Sequence, residues 1–132
     1  MRIDIRLEVP AISVVDLIKP SAAESSSAVA ERVASARDLQ RQRFLALGSP
    51  EIITNARCGP GQLDEIAQAD SAALSLLREA AESMRLSARG YHRVLKIART
   101  LADLDSSQNI GRLHLAEALS FRVAGARTAL AA

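Results

Sequence analysis

The chain opens on a strict alternation. Ile3, Ile5, Leu7 and Val9 are apolar, and Arg2, Asp4, Arg6 and Glu8 are charged. A period of two predicts a half-buried β-strand, and Pro10 ends it. No later segment reads as a second strand. The strand is therefore an orphan, and its backbone groups need a partner sheet that this sequence does not contain. Residues 1–26 are expected to be this strand plus a linker, marked by Pro20 and the run Ser25, Ser26 and Ser27, and to be mostly mobile.

Further along, the period becomes helical. Val29, Val33, Ala36, Leu39 or Gln40, and Phe44 keep helical spacing between Ser27 and Leu47, with Arg32, Arg37, Arg41 and Arg43 on the other face. Gly48, Ser49 and Pro50 stop that helix. A loop through Asn55, Cys58, Gly59, Pro60 and Gly61 leads to a short helix carrying Leu63 and Ile66. Asp70 stands where an N-cap belongs, ahead of Ala73, Leu74, Leu77, Ala80, Ala81 and Met84. Ser87 caps a helix running to about Leu104, and a last helix holds Leu115, Ala118 and Leu119. The pattern predicts a mainly α fold. A bundle of four to five helices fills residues 27–124, one orphan β-strand precedes it, and a tail at 125–132 frays.

Composition narrows the class. A chain of 132 residues suits one domain, and 48% apolar residues are too many for a disordered one. Phe44, Tyr91 and Phe121 are the only aromatic residues, so the core must come from Ala, Leu, Ile and Val. A net charge of +2 excludes a polybasic protein and leaves local basic patches open. The single cysteine, Cys58, excludes an internal disulfide and a multi-cysteine zinc site, and points to a reducing compartment, the cytoplasm. No run of 18 apolar residues encodes a membrane span, and the opening residues lack a signal-peptide core. With His only at 92 and 114, neither a metal site nor a Ser-His-Asp triad is expected. Arg99, Asp103, Arg112 and Glu117 read as ion pairs that hold helices in register.

Residues 87–104 carry the most information. On a helix, Tyr91, Val94, Leu95, Ala98, Leu101 and Ala102 share one side, the core face. Arg89, Arg93, Lys96 and Arg99, with His92 beside them, fall opposite. That stripe is either a solvated face or a surface for an anion, a nucleotide phosphate or a DNA backbone. Arg89 stands in the first helical turn, where the helix dipole disfavours a cation, so it gains little stability there and is free to face an anion beside the open N–H groups.

The run from Leu86 to Arg122 resembles the C-terminal domain of magnesium-chelatase-like AAA+ proteins, the competence protein ComM family. It contains S-x-R at Ser87 to Arg89, R-V-L-x-x-A-R-T-L-A-D-L at Arg93 to Leu104, and H-L-x-E-A-L-x-F-R at His114 to Arg122. The opening R-I-D-I-x-x-x-V-P is similar to the strand closing the ATPase core of that family, although Met1 stands where the family has Asp. Arg32, Val33, Ala36, Arg37, Gln40 and Arg43 match a further pattern of the family. No G-x-x-x-x-G-K-S/T occurs, so the chain carries no phosphate-cradling loop.

The resemblance implies that this chain is the lid of a larger AAA+ ATPase and no enzyme by itself. It implies that Arg89 is the sensor-2 arginine on the γ-phosphate of ATP, and that Arg2 is an arginine finger reaching a neighbouring subunit. It implies ATP with Mg2+ in the full-length parent, no cofactor held tightly by this piece, and as partners the AAA+ core and the other subunits of a hexameric ring. The parent is expected to be a ComM-like DNA motor in recombination during natural transformation. The alternatives are the ATPase-subunit lid of a magnesium chelatase and a stand-alone helical DNA-binding domain using Arg89, Arg93, Lys96 and Arg99.

Overall fold

A computed structural model describes residues 3–20 and 23–131, with side chains up to residue 123. The described residues form six α-helices and one short 3-10 turn: α1 (Val14–Ile18), α2 (Ser26–Ala46), the 3-10 turn Asn55–Arg57, α3 (Pro60–Ala67), α4 (Ser71–Ser83), α5 (Ala88–Leu104) and α6 (Arg112–Ala131). The bundle is the mainly helical fold that the spacing predicts. α6 continues through Ala131, past the expected fraying point. α1, five residues capped by the Ser13 hydroxyl, lies in what reads as a linker and buries nothing.

The caps follow local chemistry. Asp70 Oδ1 accepts from Ala73 N–H at 2.8 Å, and Ser87 Oγ accepts from Gly90 N–H at 3.1 Å. Each satisfies one of the open donors at a helix start. α2 ends with Gly48 at φ 76, Gly48 N–H on Leu45 O and Ser49 N–H on Phe44 O. That paired closure needs a left-handed residue, which glycine supplies without strain. Asp70→Ala is expected to cost about 1 kcal/mol, the usual loss of an N-cap, read as a lower urea midpoint with an unchanged slope.

α5 is the axis of the bundle. Val94, Leu95, Ala98 and Ala102 are buried, and they meet Leu63 and Ile66 of α3, Leu77 of α4, and Leu115 and Ala118 of α6 in one core with Phe44 and Ile110. Small residues on α5 let its neighbours approach closely, which suits a core nearly devoid of aromatic rings. Two backbone bonds, Asp70 N–H to Ile110 O at 3.0 Å and Ile110 N–H to Gln68 O at 3.1 Å, tie the α3–α4 loop to the α5–α6 loop. His114 fixes the α6 start: its Nδ1 accepts from Gly111 N–H at 3.0 Å, which leaves Nε2–H to donate to Asp105 at 2.7 Å.

Two expectations need correction. Residues 3–9 form no strand, because the only β contact among the described residues is the isolated Ala69–Ile110 bridge and nothing pairs with the segment. Ile3, Leu7 and Val9 face outward, and the segment lies as an arm against α5 through Asp4 and Ile5. In α2 the apolar stripe is buried only at Ala36, Gln40 and Phe44, while Val29, Val33 and Leu39 are exposed. The N-terminal half of this helix carries its apolar residues away from the core.

Candidate functional site

α5 has two regions with opposite uses of charge. Its C-terminal half carries a buried polar network centred on Asp103. Arg43 from α2 reaches Asp103 with both terminal nitrogens, one at 3.1 Å from Oδ2. Asn55 Nδ2 donates to the same Oδ2 at 2.9 Å and to Thr100 Oγ1 at 3.1 Å, while the Asn55 N–H is accepted by Gln40 Oε1 at 3.0 Å. Arg99, one turn earlier on the helix, completes the set with Nη2 at 3.2 Å from Asp103 Oδ1.

Arg99 therefore does not belong to the basic face on which the sequence places it. It is 1% exposed. Its Nη1 donates to the carbonyls of Ile66 (3.3 Å) and Gln108 (2.9 Å), and its Nη2 to Ser107 O at 2.8 Å. One planar fork thus satisfies carbonyls at the end of α3 and in the α5–α6 turn. Burial pulls the Arg99 guanidinium below the usual arginine range, and Asp103 opposes that shift. Arg43, read as an outer-face residue, is likewise turned inward. The expected Arg99–Asp103 pair forms, but Arg112 and Glu117 make no ion pair among the described residues.

The N-terminal half of α5 is open. A cleft of about 750 Å³ lies along it, with Arg89, His92, Arg93 and Lys96 on its wall. Ile97, Leu101, Leu104 and Phe121 line it with apolar surface, and Asp4 and Ile5 of the arm close one side. Lys96 Nζ donates to Ala56 O at 3.2 Å, and Arg93 Nε lies 3.1 Å from Asp4 Oδ1. Arg89 is exposed in the first turn and makes no ion pair or hydrogen bond among the described residues. The structure thus gathers Arg89, Arg93 and Lys96 in one cleft; Arg2 lies outside the described residues.

Sequence reasoning missed Arg122. A Cβ built on the buried Gly90 would stand 3.4 Å from Arg122 Nη2, so the α6 guanidinium lies over the first turn of α5, close to Ser87. Only a residue without a side chain leaves that room. The signal was Arg122 ending the third motif, directly after Phe121, which lines the cleft. Two guanidinium groups, Arg89 and Arg122, thus stand at a positive helix end, and neither has an acidic partner among the described residues. The helix dipole favours an anion at this end, and a guanidinium beside the open N–H groups offers it further donors.

His92 stacks edge-on against Tyr91 at 5.7 Å. No group of three or more His, Cys, Asp or Glu among the described residues is placed to hold a metal ion. Cys58 is buried, and burial pushes its thiol up. Its folded pKa lies above the unfolded one, so its contribution is fully present below the unfolded value of about 8.5 and is lost as pH rises through the folded value. Alkylation of the native chain at pH 8 is expected to be much slower than that of the urea-unfolded chain; equal rates would contradict the burial. No helix among the described residues is long and apolar enough to cross a membrane.

Comparison with known proteins agrees with the motifs. Residues 23–122 match the family model described as magnesium chelatase, subunit ChlI C-terminal. The chain is 33% identical over 122 residues to the competence protein ComM of Haemophilus influenzae, covering 92% of this chain and 23% of that protein. It is 35% identical to the uncharacterised protein YifB of Escherichia coli over the same shares. An uncharacterised Mycobacterium tuberculosis protein is 41% identical over 104 residues, 79% of this chain and 20% of its own length. The chain therefore spans about a quarter or less of the relatives it matches.

Proposed function

The chain belongs to the family of magnesium chelatase subunit ChlI C-terminal domains, and from that membership we propose that it is the lid of an AAA+ ATPase, presenting Arg89 to the γ-phosphate of ATP held by a separate core. The observation that carries this reading is Arg89 in the first turn of α5, without an ion pair or hydrogen bond among the described residues, with the Arg122 guanidinium over the same turn. A guanidinium presents several fixed donors to phosphate oxygens and keeps its charge at any working pH. Placed there, it stabilises charge as the phosphoryl group transfers and reports the state of the nucleotide to the lid.

The division of labour follows from the side chains. In this reading the chain directs cations at the phosphates, and the core holds the metal ion. By itself the chain is not expected to hydrolyse ATP. The rigid network around Asp103 lets α5 move as one body with the rest of the bundle, which suits a lid that swings with the nucleotide state. In the parent, the core and neighbouring subunits of a hexameric ring are the partners, and Arg2 is the arginine finger.

The competence-protein relative, matched over 92% of this chain, favours a ComM-like parent acting on DNA in recombination over a chelatase. The stand-alone DNA-binding alternative is weakened by the burial of Arg99, which shortens the basic stripe to Arg89, Arg93 and Lys96. The test is ATP hydrolysis by a chimera in which this chain replaces the matching segment of the Haemophilus influenzae ComM, with and without Arg89→Ala.

A further inference from the structure

Arg122 is half-buried against the start of α5. A Cβ built on Gly90 would stand 3.4 Å from Arg122 Nη2 and 3.5 Å from its Cζ, so the guanidinium packs over the glycine's bare face. Gly90 is itself buried in the first turn of α5. Glycine weakens a helix, and here it opens the approach of α6. Ser87 Oγ stands 3.4 Å from the same point and is committed to capping the Gly90 N–H. Two arginines held against α5 are thus used differently. Arg99 gives Nη1 to the Ile66 and Gln108 carbonyls and Nη2 to Ser107 O. Arg122 donates to no acceptor and pairs with no carboxylate among the described residues. α6 brings a held but uncommitted guanidinium to the turn that carries Arg89, beside the cleft that Phe121 lines.

We propose that Arg122 is a second phosphate-binding residue of the lid, seated on Gly90 beside Arg89 so that both guanidinium groups grip the same polyphosphate. This role rests on the reading of Arg89 as the ATP contact and adds a residue to it. A triphosphate carries charge and acceptor oxygens on successive phosphates, more than one guanidinium can engage. Two planar forks fix its orientation as well as balance its charge. A long arginine side chain loses rotamer freedom when it binds, and the seat on Gly90 removes part of that loss beforehand. Arg89 comes from α5 and Arg122 from α6, so a polyphosphate held by both ties the two helices together at this end of the bundle.

The test is a titration of the 15N-labelled 132-residue chain with sodium tripolyphosphate at constant ionic strength. It follows the side-chain Nε–H resonances of Arg89 and Arg122, which are expected to shift along one binding curve. Arg122→Met keeps an unbranched stem for packing and removes the donors. Its affinity is expected to fall about tenfold, the scale of a lost charge-assisted hydrogen bond. Arg112→Met makes the same charge change at the exposed start of α6, and is expected to stay within about twofold of wild type. Thermal unfolding checks the fold of each variant, and the wild-type Arg122 resonance reads the contact with no variant at all. An Arg122 resonance that stays fixed while Arg89 shifts, or equal affinity in Arg122→Met and Arg112→Met, makes Arg122 a packing residue and leaves the reading of Arg89 standing. Absence of shifts at both arginines overturns the two roles together.

Discussion

Asp103→Ala is expected to destabilise the domain by about 3–5 kcal/mol, the cost of removing one partner from a buried charge network. Asp103 pairs with two arginines at once and accepts from Asn55 as well. The two arginines do not suffer equally. Arg43 is 22% exposed and can turn to water, whereas Arg99 is 1% exposed and cannot. Arg99 would keep its backbone carbonyl partners but lose its counter-charge in a site that already pulls its pKa down. Double-mutant cycles should therefore give a larger Asp103–Arg99 coupling than Asp103–Arg43 coupling. Urea unfolding provides the measurement, with the midpoint shifted and the slope held. A loss under about 1 kcal/mol for Asp103→Ala would show that packing alone holds the bundle.

The same network explains what could and could not be read from the sequence. Helix ends were legible because their causes are local: Asp70 and Ser87 cap as their chemistry predicts. The inner face of α5 was legible because helical spacing decides it. The fate of Arg99 was not. At 100° per residue Arg99 stands at the margin between the basic stripe and the core face, about 60° from Lys96 and about 40° from Leu95. What buries it comes from elsewhere in the chain: the carbonyls of Ile66 and Ala67, the turn at Ser107 and Gln108, and the Asn55 turn nearby. The cleft follows Arg89, Arg93, Lys96 and Leu104 along the helix, while Arg99 stands to one side of that line, against the α3 end and the α5–α6 turn. Periodicity leaves a residue at that margin undecided, since it describes one element and not its neighbours. The available clue was Asp103, four residues after Arg99 within the same motif.

The alternation at residues 3–9 misled for a related reason. A period of two states what a strand would need, and no partner is present among the described residues to supply it. Asp4, read only as the polar half of the alternation, ends on Arg93. Its role depends on the position of α5, which is set by contacts far along the chain.

Arg89→Ala in the ComM chimera is expected to lower kcat for ATP hydrolysis about 10²-fold or more, the scale for losing one preorganised donor to developing charge. The fold should be unaffected, since Arg89 is exposed and bonds to nothing among the described residues; the thermal midpoint is the check. Arg89→Lys keeps the charge but not the planar fork, and is expected to recover only part of the rate. Arg99→Lys provides the contrast. One ammonium cannot reach the Ser107 and Gln108 carbonyls in the α5–α6 turn and the Ile66 carbonyl at the end of α3 together, so that variant should lose stability first and activity only as a consequence. A chimera with Arg89→Ala that hydrolyses ATP at the unmodified rate would remove Arg89 from the nucleotide. The lid would then take its nucleotide contact from another of the cleft's cations, Arg93 or Lys96.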